Sequence, residues 1–234
     1  MYQKEVNERS PMRVFERSIH GGLGKGNVGL VMSRAGIGKT AFLVDVALDD
    51  LMRDRKVLHI NIDDPVEKVR AFYDEIFAVL ADSMELENRY RVHLNVERHR
   101  LIQTYMAESF TLDKLKAGIV MAHEHMNFDP EVIVLDGYPR FSQATEDDLL
   151  ELKDIAKRHD CELWVSGRAR REDEVDERGV PTKIARFEEY LSVLVKLEPS
   201  GDHVRLQLIK DHDNEDVASL FLELDPRSLL LKWN

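Results

Sequence analysis

VGLVMSRAGIGKTAFL, residues 28–43, decides the fold. An apolar run (Val28, Leu30, Val31, Met32) passes into Ser33, Arg34, Ala35, Gly36, Ile37, Gly38, Lys39 and Thr40. Ala41, Phe42, Leu43, Val44 and Val46 then resume at helical spacing. The order is strand, glycine loop, helix. Successive backbone N–H groups of such a loop converge on phosphate oxygens at the positive end of a helix, a shape that small, permissive residues such as Gly36 and Gly38 allow.

The pattern is G-x-x-x-x-G-K-[ST], with Ser33 in place of its first glycine. The expected nucleotide contacts run through Ser33, Arg34, Ala35, Gly36, Ile37, Gly38, Lys39, Thr40 and Ala41. Lys39 is placed to reach the β- and γ-phosphates, and the Thr40 hydroxyl to ligate Mg²⁺. A chance Gly-Lys-Thr at a helix start is the competing reading, and the flanking strand and helix argue against it.

Around this loop, 234 residues with 43% hydrophobic content suffice for one sizeable α/β core. We expect an arm or short helix over residues 1–18 and one domain over 19–234. Acidic residues outnumber basic ones, 44 to 33, for a formal charge of -11. Such a surface repels nucleic acid and anionic membranes, so neither is an expected partner. The single Cys161 lies in an apolar run and reads as a buried strand residue. A reducing, cytoplasmic location is expected. The charged start is unlike a secretory leader, so none is expected, and no run of about 18 apolar residues, as a membrane span requires, is present in the sequence.

Upstream, HGGLGKG (residues 20–26) is a glycine-dense turn. Downstream, the loop's helix should run to about Arg53. KVLHINI (56–62) alternates, is rich in β-branched residues and reads as a strand ending in Asp63, Asp64 and Pro65. Ligands in open parallel sheets bind beyond the carboxyl ends of strands, so these carboxylates belong near the loop. Asp63 reads as the base that orients an attacking water. Asp64 reads either as its companion or as a cap for a helix over 66–81. Residues 82–100 are charged and read as a helix end and connection. A short strand (101–105) and a helix (112–126) capped by Thr111 follow. His123 and His125 flank Glu124, but positions two apart face different sides of a helix, so no shared metal is expected there.

EVIVLD (131–136) is the second strong signal, an apolar strand ending in an aspartate about a hundred residues after the loop. Asp136 is expected to hold Mg²⁺ together with Thr40. Residues 145–158 form an amphipathic helix and 162–166 another strand. GRARREDEVDERG (167–179) reads as a solvated loop in which Arg168 either senses phosphate or meets a partner. Short strands at 191–197, 204–210, 220–224 and 229–232, separated by turn residues, add antiparallel hairpins to the parallel sheet.

As an ordered set, these features resemble the RecA-like P-loop ATPases, closest to the KaiC and DnaB-helicase branches. The resemblance spans about Phe15 to the C-terminus. It implies a three-layer α/β sandwich, ATP and Mg²⁺ as cofactors, a homo-oligomer expected as a ring of six, and a protein partner whose identity the sequence leaves open. The family's paired glutamates after the second strand correspond to Asp63 and Asp64. Its lysine and arginine two residues apart, which reach a neighbouring subunit's γ-phosphate, correspond to Lys210 and His212. Catalytic roles therefore fall on Lys39, Asp63, Asp64 and, in trans, Lys210.

LDGYPRFSQA (135–144) also resembles the D-G-F-P-R segment of adenylate kinase-type nucleoside monophosphate kinases. That resemblance would give Asp136 to Mg²⁺, Arg140 to an acceptor phosphate, and Arg168, Arg170 or Arg171 to a lid. Three functions are thus expected in order: an ATPase whose turnover drives a conformational or assembly change, a phosphotransferase, and a non-hydrolysing ATP sensor. A helicase or recombinase would need a basic, aromatic-lined path for a strand, and the chain is acidic with 7% aromatics.

Overall fold

The computed structural model describes residues 10–214, 216, 217, 219 and 221–233. The first nine residues of the expected arm and Leu220 of an expected strand lie outside them. In chain order the elements are α1 (Pro11–Ser18), β1 (Val28–Ser33), α2 (Lys39–Leu51), β2 (Val57–Ile62), α3 (Val66–Ser83), α4 (Arg89–His99), β3 (Arg100–Tyr105) and α5 (Leu112–Met126). Then come β4 (Val132–Asp136), α6 (Glu146–Arg158), β5 (Glu162–Arg168), α7 (Thr182–Ala185), a 3₁₀ turn (Glu188–Tyr190), β6 (Val193–Ser200), β7 (His203–Asp211), β8 (Leu222–Leu224) and β9 (Leu231–Trp233).

The strands form one sheet in the order β3-β2-β4-β5-β1-β6-β7-β8-β9. Every pair from β3 through β6 is parallel, and β6 to β9 are joined antiparallel. Parallel neighbours need long crossovers, which the helices supply, whereas the C-terminal strands need only turns. Because helices cover both faces, the central strands read as continuous apolar runs, and all six residues of β1 are buried. One apolar cluster joins α1 to α4 with alternate strand residues such as Val31, Val134 and Trp164. The other joins α5 and α6 with Leu30, Leu135 and Val165.

Helix α1 buries Met12 and Phe15 in the first cluster, with Phe15 edge-on to Phe42 of α2. Thr111 caps α5 as its sequence suggests, and Thr145, read as the first residue of its helix, caps α6, its hydroxyl accepting the Asp148 N–H while its own N–H donates to the Asp148 carboxylate. Two local expectations change. Helix α4 occupies much of the stretch read as a connection, because Val92 and Val96 are enough to bury one side of an otherwise charged segment. Asp64 does not cap α3. Pro65 takes that position, and Asp64 instead pairs with Lys68 at 2.7 Å. Among the described residues no helix is long and apolar enough to cross a membrane.

Candidate functional site

The carboxyl ends of β1, β2, β4 and β5 open into a cleft of about 480 Å³. The crossover from β1 to β2 passes over two strands, which leaves a crevice where the strand order reverses. Ala35, Gly36, Lys39 and Thr40 line one wall, and Asp63, Asp64, Asp136 and Arg140 are on the others.

The loop backbone has the form its glycines permit. Gly36 has φ +76 with open space where a Cβ would stand, and Gly38 has φ +119 at the N-cap of α2. The first turn of α2 therefore presents N–H groups with no capping side chain over them. Ser33 is buried. Its hydroxyl donates to the Arg34 carbonyl at 2.9 Å, and Lys39 Nζ lies 3.4 Å from both the Ser33 hydroxyl and that carbonyl. Burial lowers the Lys39 ammonium pKa, the Asp136 carboxylate raises it, and Arg168 lowers it further. A folded-back, partly desolvated lysine gains most from an incoming anion.

Thr40 Oγ1 donates to Asp136 Oδ2 at 2.6 Å across β5, which lies between β1 and β4. The two residues are 96 positions apart in sequence. A hydroxyl beside a carboxylate is a hard-oxygen donor pair of the kind Mg²⁺ accepts, so these residues fit that ion. Ser166, at the end of β5, accepts the Gly137 N–H at 2.8 Å and fixes the chain just after Asp136.

Asp63 has φ +78, its N–H donates to the Tyr105 carbonyl, and Oδ1 accepts the Ala107 N–H at 2.7 Å. Its other oxygen lies 3.5 Å from Arg140. These contacts turn the side chain into the cleft at the mouth of β2. Asp64 also lines the cleft, while its N–H donates to Asn61 Oδ1 and its carboxylate leans out to Lys68.

Lys210 is not brought to this cleft. It pairs with Leu194, which pairs with Leu30, so it sits about 10 Å back along the strand direction from the loop. Its ammonium donates to the Glu188 carbonyl at 2.7 Å. His212 lies at the same end, bonded to Asp211 and to the Leu23 carbonyl in the glycine-dense turn. Within one chain, Lys210 contributes nothing to the cleft.

The sequence reading passed over Asn61, Ser166 and Lys183, all of which line the cleft. A polar residue closing an apolar strand was the available signal for the first two. Lys183 follows the charged loop and carried none. That loop is largely exposed, as its composition suggests, and is tied together by ion pairs: Lys183 and Arg170 hold Asp173, and Arg178 bridges Asp176 to Glu188. Cys161 is buried, and burial pushes its thiol up to about 12, so it is no nucleophile. No protein-family model and no curated protein matches the chain.

Proposed function

We propose that the protein is a Mg²⁺-dependent P-loop ATPase of the RecA-like kind, in which hydrolysis drives a conformational or assembly change. The observation that carries the reading is the 2.6 Å bond between Thr40 and Asp136 beside a glycine loop with uncapped helix amides. Two oxygen donors far apart in sequence meet where a phosphate-bound metal would need them.

In this reading the amides of residues 34–40 and the Lys39 ammonium hold the β- and γ-phosphates. Thr40 and Asp136 would hold Mg²⁺, which when bound neutralises charge on the phosphate oxygens. Asp63 accepts a hydrogen bond from the attacking water and orients it, and Arg140 at 3.5 Å keeps the carboxylate aimed into the cleft. Arg168 and Arg170, on the rim, offset the negative charge of the bound nucleotide.

A second reading, phosphoryl transfer to an acceptor, is favoured by the reach of the same cleft. Beyond Asp136 it continues to Arg140, Gln143 and Lys183, where a second phosphate-bearing molecule would meet basic groups. Product analysis separates the readings. With Mg²⁺-ATP alone, orthophosphate should appear in the wild type and not in Lys39→Ala. A second nucleoside diphosphate formed only when a nucleoside monophosphate is added would establish the transferase instead. ATP binding with neither product would make the protein a sensor.

A further inference from the structure

Among the described residues, two groups of three side chains bring metal-ligating atoms together: Asp74, His93 and Glu97, and Glu16, Asp49 and Asp50. The second offers only carboxylates, and Arg13, Arg53 and Arg55 already hold them. The first contains an imidazole and joins two helices. His93 and Glu97 stand four residues apart on α4, on one face, and Asp74 of α3 meets them. One donor atom from each lies within 4.8 Å of the other two. Small rotations of these side chains bring all three to the ~2.0–2.2 Å of zinc–nitrogen and zinc–oxygen bonds.

Each donor is oriented. His93 Nε2 lies 3.0 Å from Asp74 Oδ1, so the ring aims that nitrogen at a carboxylate on the other helix. Phe77 packs against the ring, with centroids 5.2 Å apart, and limits its rotation. Glu97 is held by one oxygen: Arg100, with a side chain only 3% exposed, bonds Oε1 and leaves Oε2 to Arg70 at 3.5 Å. A fixed partner on the far oxygen is how an outer layer of contacts orients a carboxylate ligand. Arg70 is 58% exposed, and so loose a surface pair holds Glu97 weakly against an incoming divalent ion. The ion also has a way in, because the side chains of Asp74, His93 and Glu97 are 44%, 31% and 27% exposed.

We propose that Asp74, His93 and Glu97 bind one Zn²⁺, which fastens α3 to α4. One nitrogen and two carboxylate oxygens suit a borderline ion of this class, whereas Mg²⁺ and Ca²⁺ seek six or more oxygens and gain little from an imidazole. The neutral ring binds through Nε2 with its proton on Nδ1, and water completes a fourth position. None of the three residues lines the nucleotide cleft, so this site stands or falls apart from the ATPase reading.

The test titrates zinc chloride into the full chain by calorimetry in excess Mg²⁺, which fills the cleft and any site built of oxygens alone. One Zn²⁺ should bind per chain in the micromolar range or tighter. His93→Ala, Asp74→Asn and Glu97→Gln should each weaken it at least as much as loss of an outer-layer partner does, about 10–100-fold. Zinc at about 100 times Kd should raise the melting temperature of the wild type by about 5–10 °C and leave that of His93→Ala where it is. Melts without zinc show that the three variants, all at solvent-accessible positions, are folded. Asp136→Asn, which removes the candidate Mg²⁺ ligand from the cleft, should bind zinc as the wild type does. Affinity no better than millimolar, affinity that survives His93→Ala, or affinity lost in Asp136→Asn would each overturn the proposal.

Discussion

Leu224, on the next-to-last strand, lies directly against Gly38 of the glycine loop, so that a Cβ at Gly38 would overlap Leu224 Cδ2. The antiparallel extension therefore packs beneath the loop as well as extending the sheet edge. Ile37 and Leu229 pack against the same apolar cluster, which contains Leu222 and Leu224. Any shift of the loop at Gly38 would press on β8 through that contact.

Gly38→Ala is the direct test of that contact. The new methyl meets Leu224, and φ +119 is a region where an L side chain is strained at about 1–3 kcal/mol. The melting temperature should fall by about 2–4 °C per kcal/mol in a domain of this size. Leu224→Ala alone gives up about 2–5 kcal/mol of core packing, and adding Gly38→Ala to it, with the overlap gone, should cost only the backbone strain. Thermal melts of the single and double variants separate the two parts. A double variant that melts with Leu224→Ala alone would show that the strain is absent.

Asp63 and Asp64 are adjacent, yet the structure assigns them different surroundings. Asp63 is held by the Ala107 N–H and Arg140, whereas Asp64 forms an exposed pair with Lys68 four residues on. If the proposed ATPase reading holds, Asp63→Asn keeps an oxygen for Ala107 but loses the charge assigned to orienting water, so ATP turnover should fall about 100-fold or more with ATP affinity unchanged. Asp64→Asn removes a surface pair worth about 0.3–0.5 kcal/mol and should leave turnover intact. Steady-state rates with nucleotide titrations decide between them. Equal losses in the two variants would mean that the pair acts as a unit.

Much of this arrangement is legible in the residues. A glycine loop between an apolar run and a helical period, and apolar strands ending in Asp63 and Asp136, are local patterns whose meaning does not depend on distant neighbours. Helix α4 was not legible, because Val92 and Val96 give too weak a period until α2 and β3 pack against the helix. The place of Lys210 was not legible either. Its level against β1 is set by the β6–β7 register, which shifts at a bulge between Leu194 and Val195, and one sequence gives no register.

His59 is fully buried in β2, with Nδ1 2.8 Å from the Tyr73 hydroxyl and Nε2 without a partner. Burial lowers its pKa to about 4, Asp136 opposing and Arg100 adding to the fall. Its folded pKa lies below the unfolded value of about 6.5. The contribution to stability is therefore present above that value and lost as pH falls toward about 4. Against His59→Gln, the wild type should lose about 1.4 kcal/mol more for each pH unit across that window. Carboxylates such as Asp49 and Asp50, present in both proteins, largely cancel in the comparison. Urea denaturation at pH 7.5 and 5.5 reads the difference, and parallel pH profiles would show that His59 is protonated in the fold.

Lys210 tests whether the proposed ATPase works as an assembly. In its own chain the ammonium is spent on the Glu188 carbonyl, at the end of the sheet away from the loop. A role in turnover then requires that a second copy bring the Lys210 end of its β7 to the cleft and that Lys210 exchange that carbonyl for a phosphate oxygen. Lys210→Ala should leave ATP affinity as it is and lower turnover about 100-fold, the usual loss for one charge-stabilising donor. Lys39→Ala should lose nucleotide in its own cleft but still offer Lys210 to a neighbour. Mixing the two inactive variants should therefore restore part of the activity, because one intact cleft meets one intact lysine at each mixed interface. Turnover of the mixture measured against total protein concentration reads this directly. An active Lys210→Ala variant, or a mixture as inactive as its components, would leave Lys210 a structural residue that ties β7 to the 3₁₀ turn.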